Sequence, residues 1–293
     1  MPWQIPVFIR VFVASILAPI FIKRVAGAPS RSRSLVLQYA LAAGIAAIWA
    51  LSVGVNFRYS GFYIVFVLGI FGAASCYCEW RAIDISLTKT SLFAQADDIL
   101  ALILGYLILH EGRLVNGTLK VGVLLAVLAV FLFIYGKIRQ ASGEGSSPAR
   151  SLALWITGFS LIAGATIFSM RYFALAGMAI STFLFAKYAG SFIGAVLLFY
   201  ITGPKERGLG MTPAQRFLVF ILALIILSAM TLAYWSFTLV PITVAQPIYQ
   251  VSEIIFPFMI GLWFFKEGKR LNAFQKSAMI LGIISTTMIA LAY

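Results

Sequence analysis

The sequence predicts an all-α polytopic membrane protein, with ten transmembrane helices arranged as two inverted five-helix repeats. Three observations carry this expectation. The 293 residues are 62% hydrophobic and only 11% charged, with a mean hydropathy of +1.00. An ordinary globular domain has roughly 25% charged residues, so lipid must be the solvent for most of this surface. Apolar runs of about 20 residues, the length that crosses a bilayer at about 1.5 Å per helical residue, recur along the chain. Finally, a single long polar stretch separates five runs from five.

In the first repeat (1–136) the runs are Ile5 to Val25, Leu35 to Val55, Gly61 to Ala82, Leu87 to Leu109 and Thr118 to Gly136. The first begins without a basic region or a small-residue cleavage site, so it reads as a retained span. Residues 137–150 (KIRQASGEGSSPAR) are rich in Gly, Ser and charge and read as a linker. The second repeat (151–293) has runs at Leu152 to Phe173, Ile180 to Ile201, Ala214 to Phe237, Ile242 to Phe265 and Ala273 to Ala292.

A shift of about 156 positions lays the end of one half on the other. Gly105 then meets Gly261, Glu111 meets Glu267, Gly112 meets Gly268, Asn116 meets Asn272 and Lys120 meets Lys276, while Asp97 meets the acidic Glu253. A shift of about 147 aligns Ile20-Phe21 with Ile167-Phe168 and Arg24 with Arg171. Five spans per half means that the second half enters the membrane from the opposite side, the architecture of many secondary transporters.

The net charge is +13. Basic residues fall in short loops between apolar runs, and none of these loops has interleaved aromatics for stacking, so nucleic acid is excluded as a partner. The loops holding Lys23, Arg31, Arg81, Lys137, Lys205 and Lys266 lie on one side and carry most of the basic residues. The positive-inside rule places that side in the cytoplasm and both termini outside a plasma (bacterial inner) membrane. Cys76 and Cys78 lie two apart on one helix, point in different directions and read as reduced core residues. With His110 the only histidine, no metal or cofactor is expected.

Two segments look alike: QADDILALILGYLILHEGRLVNGTLKVG (Gln95 to Gly122) and YQVSEIIFPFMIGLWFFKEGKRLNAFQKSAMILG (Tyr249 to Gly282). Each is an apolar span, a Glu-Gly turn and a second span starting near an Asn. On these segments the chain resembles the drug/metabolite transporter superfamily, in particular EamA-type ten-span transporters. Pro257 fits that pattern; Ala101 stands at its counterpart in the first copy. The resemblance implies a central cavity between the repeats, opened alternately to each side. It also implies a small metabolite as cargo, often exported, and both termini in the cytoplasm, opposite to the charge bias.

Polar groups at mid-membrane depth are few. A carboxylate at a span centre costs about 2.5–3.5 kcal/mol on insertion scales, so Asp97, Asp98 and Glu253 call for a reason. Gln246, Tyr249, Gln250, Glu253 and Pro257 share one helical face by their 3–4 spacing. The matching face of the fourth span holds Thr90, Phe93, Ala94, Asp97 and Ala101. These faces are expected to meet protein or water. Glu253 and Asp97 are then read as lining a substrate path, one of them exchanging a proton, or else as pairing with Arg10, Lys187 or tyrosines as interhelical glue. Asp98 faces another helix or rims the cavity. Arg10 and Lys187 either snorkel or bind a substrate anion. Glu79 beside Arg81 reads as interfacial. Trp80, Tyr234 and Trp235 read as an interfacial belt or a stacking wall of the cavity. Glu111 and Glu267 read as turn residues or gate-side ion pairs. Gly190 to Gly194 (GSFIG) reads as a close helix approach ahead of a dimer face, so a monomer or weak dimer is expected.

Enzyme motifs are absent: there is no Walker A, HExxH, Rossmann glycine pattern or Gx-Ser-x-Gly elbow. The leading expectation is a secondary transporter, an exporter of small polar metabolites such as amino acids by alternating access. Its partners would be a small-molecule substrate, the lipid bilayer and protons. Sugar or nucleotide-sugar exchange, drug efflux and an intramembrane lipid-handling protein are the alternatives. A channel would want a ring of like side chains along a continuous polar lining, and the polar residues here cluster at mid-depth.

Overall fold

The computed structural model describes residues 2–28, 31–55, 57, 59, 61–85, 87, 90, 96–111, 117–141, 147–202, 210–266 and 273–292. Among the described residues the regular elements are helical. The first span is α1 (Gln4–Arg10), a π-helical segment (Val11–Leu17) and α2 (Ala18–Ala26) in unbroken succession. Then follow α3 (Arg31–Val53), α4 (Gly61–Ile85), α5 (Ala96–Ile108), α6 (Gly117–Ala141), α7 (Ser147–Leu175), α8 (Ile180–Thr202), α9 (Pro213–Leu239), α10 (Ile242–Trp263) and α11 (Ala273–Ala292).

Among the described residues, six stretches are long and apolar enough to cross a membrane: Gln4–Ala26, Arg31–Val53, Gly61–Ile85, Leu154–Leu175, Ile180–Thr202 and Pro213–Leu239. The chain is therefore a helical membrane protein. Ten spans were expected, and the remaining helices fall outside this set. α10 has the length, at 22 residues, but Gln246, Gln250, Ser252 and Glu253 dilute its apolarity. The described part of the expected fourth span is α5, 13 residues long.

Two boundaries differ from the sequence reading. The expected linker 137–150 is entered by helix from both sides, to Ala141 and from Ser147. Lys, Gln, Arg and Ala are good helix formers, and Pro148 sits where a helix start tolerates proline; 142–146 lie outside the described residues. α3 starts at Arg31 rather than Leu35 because Arg31 is tied down. Its Nε and Nη2 donate to Ala26 O at 2.8 and 2.6 Å, and Nη2 lies 2.6 Å from Asp84 Oδ2. Lys23 Nζ adds a bond to Ile83 O at 2.8 Å. These contacts gather the ends of α2, α3 and α4. Gly112, Asn116, Glu267, Gly268 and Asn272, which carry part of the repeat, lie outside the described residues.

The halves interlock. α4 packs on α7 and α8, α3 on α8 and α9, and α9 on the first span. α5 packs on α7 and α10, and α6 on α11. The closest crossing is between α4 and α8. A Cβ on Gly190 would lie 2.0 Å from Phe66 O, one on Gly194 2.2 Å from Ile70 O, and one on Gly69 2.2 Å from Lys187 O. Ser191 Oγ donates to Gly69 O at 2.9 Å across the same contact. Lipid offers no hydrophobic drive between spans, so small residues that let backbones touch hold such pairs together. The GSFIG segment therefore serves an intramolecular contact.

Gly190→Ala should force these helices apart and lower stability by about 1–3 kcal/mol, as overpacking does. Gly44→Ala, where a Cβ meets nothing within 4 Å, should be neutral or mildly stabilising. Thermal unfolding of the two variants in detergent checks the contrast.

Candidate functional site

The site starts from α10. Gln246, Tyr249 and Gln250 are fully buried on its polar face, with Glu253 half-buried one turn on and Pro257 buried two turns on. Pro247 and Pro257 supply no backbone N–H, so the carbonyls of Thr243 and Glu253 lose their helical donors.

Opposite this face stands Arg10, the last residue of α1 before the backbone widens into its π turn. Such turns recur at functional sites because they re-aim side chains and loosen backbone pairing. Arg10 Nη1 lies 2.7 Å from Glu253 Oε1, and its guanidinium carbon sits 3.7 Å from the Tyr249 ring centroid. The Tyr249 hydroxyl is 2.6 Å from Ser236 Oγ. One cation thus takes a carboxylate and an aromatic face from successive turns of α10, which is the 3–4 spacing put to use. The Arg10–Glu253 pair joins the first span to α10, across the two halves of the chain.

Asp97 and Asp98 occupy the first turn of α5, where the helix dipole favours negative charge. The Asp98 backbone N–H donates to Asp97 Oδ1 at 2.9 Å, and Gln246 Nε2 donates to Asp98 Oδ1. Asp98 therefore faces α10. Among the described residues its Oδ2, and both polar atoms of the Gln250 amide, find no hydrogen-bond partner. On the matching face of the fourth span Thr90 and Ala101 are buried, while Phe93 and Ala94 lie outside the described residues.

A cavity of ≈ 270 Å³ lies between these elements. Its charged lining is Arg10, Glu79, Asp97, Lys187 and Glu253, and Gln246 adds an amide. Trp80, Phe159, Met170, Met230 and Phe237 form much of the apolar wall. Both halves contribute. Toward one end it reaches Ile22, Ile83 and Leu87, beside the Lys23 and Arg31 contacts.

At the other end stands a buried ionic cluster. Glu111 and Arg171 are 2% and 6% exposed, so neither charge has water to stabilise it. Arg171 Nε donates to Glu111 Oε1 at 2.6 Å, and Arg171 Nη1 to Phe237 O at 2.5 Å. The Ile242 N–H donates to Glu111 Oε2 at 2.8 Å. The cluster joins α7, the segment after α5 and the α9–α10 connection, directly behind the cavity wall at Phe237.

The placement of the sequence candidates is uneven. Arg10, Asp97, Lys187, Gln246, Glu253 and Trp80 line the cavity, while Tyr249, Gln250 and Asp98 are buried beside it. Tyr234 and Trp235 do not line this cavity: Tyr234 is buried and donates to Met178 O at 2.6 Å, and Trp235 is half-buried. Glu79, read as interfacial, lines the cavity instead, because α4 continues to Ile85 and carries Glu79 more than a turn inside. Arg171, near the end of the expected run Leu152 to Phe173, was not among the candidate site residues. Its match with Arg24 in the shorter repeat alignment was the available signal.

No family model matches the chain, and no curated protein matches it. A solved structure described as "Crystal structure of protein" shares the fold, with a TM-score of 0.69 and 13% identity over 99% of this chain and 97% of that one. At that identity the likeness speaks for the fold alone.

Removing one member of a buried ion pair leaves an uncompensated charge and costs about 3–5 kcal/mol, whereas replacing both by apolar groups is often neutral. Arg10→Met alone should therefore destabilise markedly, and Arg10→Met with Glu253→Leu should recover most of the loss. Unfolding of the two variants in detergent measures the difference.

Proposed function

We propose that this protein is a secondary transporter of small polar metabolites such as amino acids. It works by alternating access between two inverted five-helix halves, ten spans in all, in the manner of the EamA-type transporters its repeat resembles. The observation that carries this reading is the cavity lined by charged groups from both halves of the chain and backed at one end by the Glu111–Arg171 cluster.

The helix pairing supports the inverted repeat. If each helix of one half is exchanged for its counterpart in the other, α4 on α7 becomes α9 on the first span. Likewise α5 on α7 becomes α10 on the first span. Both members of each exchange are packed pairs. The pairs α3–α8, α5–α10 and α6–α11 map onto themselves, and these also pack. A pseudo-two-fold axis produces this pattern.

Transport then requires two states. In one, the Glu111–Arg171 cluster shuts the far end while the cavity reaches toward the basic ends of α2, α3 and α4. In the other, that cluster parts. Arg10 and Glu253 provide the coupling element, since a proton taken by Glu253 releases Arg10. Asp97 is the second carboxylate on the path. The basic ends face the cytoplasm of a bacterial inner membrane by the positive-inside rule, and outward movement of cargo is the proposed direction.

Two measurements test the reading. In proteoliposomes, Glu253→Gln and Asp97→Asn are expected to lower pH-driven transport at least about ten-fold, the effect of losing one charged interaction; full pH-dependent transport by both variants overturns the coupling role. The second uses Cys76, which lines the cavity, in a Cys78→Ser background. A membrane-impermeant methanethiosulfonate should label it from the Lys23 side, and Arg171→Gln should raise labelling from the opposite side. Labelling unchanged by Arg171→Gln removes the cluster as a gate.

A further inference from the structure

Resting on the reading of the cavity as a substrate site, we propose that it takes a zwitterion with an apolar body, an amino acid of the phenylalanine or leucine type, whose carboxylate is bound by Lys187 and whose ammonium is bound by Glu79. Both residues line the cavity. Neither is satisfied by the protein. The polar contact of the Lys187 ammonium is the thioether of Met230, 3.6 Å away, a weak acceptor. Beyond it the Tyr188 ring centroid is 5.5 Å off. Glu79 makes no ion pair or hydrogen bond among the described residues. The other cavity cation, Arg10, already holds Glu253.

Position argues against snorkelling. Lys187 is anchored at its backbone, because its carbonyl lies against Gly69 in the tight α4–α8 crossing. Its side chain reaches Met230, well inside α9, rather than the end of α8. A lysine that could relieve itself at the membrane surface would aim the other way. Glu79, Lys187 and Cys76, one turn from Glu79 on α4, line the same cavity, and among the described residues Glu79 and Lys187 form no ion pair with each other. An isolated charge held in apolar surroundings is costly unless something meets it. A ligand bearing both charges satisfies the two poles at once.

The wall selects the rest of the molecule. Trp80, Phe159, Met170, Met230 and Phe237 line the same cavity. They give flat and adaptable apolar contact and few hydrogen bonds. A neutral sugar would leave both Lys187 and Glu79 without a counter-charge. A hydrophobic cation would leave Lys187 unpaired and repelled.

Calorimetric titration of the purified full-length protein in detergent tests this with three probes: L-phenylalanine, its methyl ester, which lacks the carboxylate, and N-acetyl-L-phenylalanine, which lacks the ammonium. Each charge-assisted contact should be worth about 10- to 100-fold in affinity, so the wild-type protein should bind phenylalanine that much more tightly than either derivative. Lys187→Gln should weaken phenylalanine by the same factor and leave the methyl ester unchanged. Glu79→Gln should weaken phenylalanine and leave the N-acetyl compound unchanged. A purely structural role would weaken all ligands alike, and that result overturns the proposal. So does wild-type protein that binds none of the three, or binds the derivatives as tightly as phenylalanine; this ligand series decides even if a variant fails to fold. Binding with the expected pattern, together with proteoliposomes that do not move phenylalanine, would sink the transport reading and leave the site standing. Transport of another cargo without phenylalanine binding would do the reverse.

Discussion

A charge removed from water and placed among hydrocarbon side chains must find a partner or be given up, and the centre of this protein is organised around that constraint. Arg10 meets it by lying 2.7 Å from Glu253 and 3.7 Å from the Tyr249 ring centroid. The arrangement needs several things at once. α10 must present Tyr249 and Glu253 on one face, and the first span must bring Arg10 to that face as its backbone widens into a π turn. Ser236 then holds the Tyr249 hydroxyl. Arg10 belongs to the first half of the chain and its partners to the second, so this charge pairing lies where the two parts of the chain meet.

Two other contacts frame this centre, and they differ in kind. The α4–α8 crossing is steric: glycines let main chains touch, and any added atom collides with backbone. Such a contact has one arrangement and suits a fixed hub. The Glu111–Arg171 cluster is ionic and hydrogen-bonded, with partners on three segments. Its groups can exchange partners, which suits a latch. Between the two lies the cavity, where Lys187, Glu79 and Asp97 line the wall beside the Arg10–Glu253 pair.

Much of this was legible from residue order, and the reasons are local. The 3–4 spacing of Gln246, Tyr249, Gln250, Glu253 and Pro257 identifies one helical face whatever surrounds it, and that face is buried. The glycine spacing of Gly190 and Gly194 announces a close helix approach before the partner helix is known. Other readings failed for equally local reasons. Glu79 sits beside Arg81 near the end of an apolar run, so it looked interfacial; only the continuation of α4 to Ile85 takes it inside. Tyr234 and Trp235 look like Trp80 in sequence, near a span end, yet Trp80 faces the cavity and they do not. Rotational phase about a helix axis separates these cases, and it depends on which neighbours the helix has.

The sequence by itself determined that the chain needs lipid and that carboxylates within its apolar runs are few. Composition, run length and periodicity carry that information directly, because the bilayer imposes it on every residue alike. Tertiary structure alone decided which charges pair and which stay open. Arg10 and Lys187 were indistinguishable as cations within spans. One found Glu253 across the bundle, and the other found a thioether. That difference rests on distances between helices far apart in the chain, which no local pattern encodes.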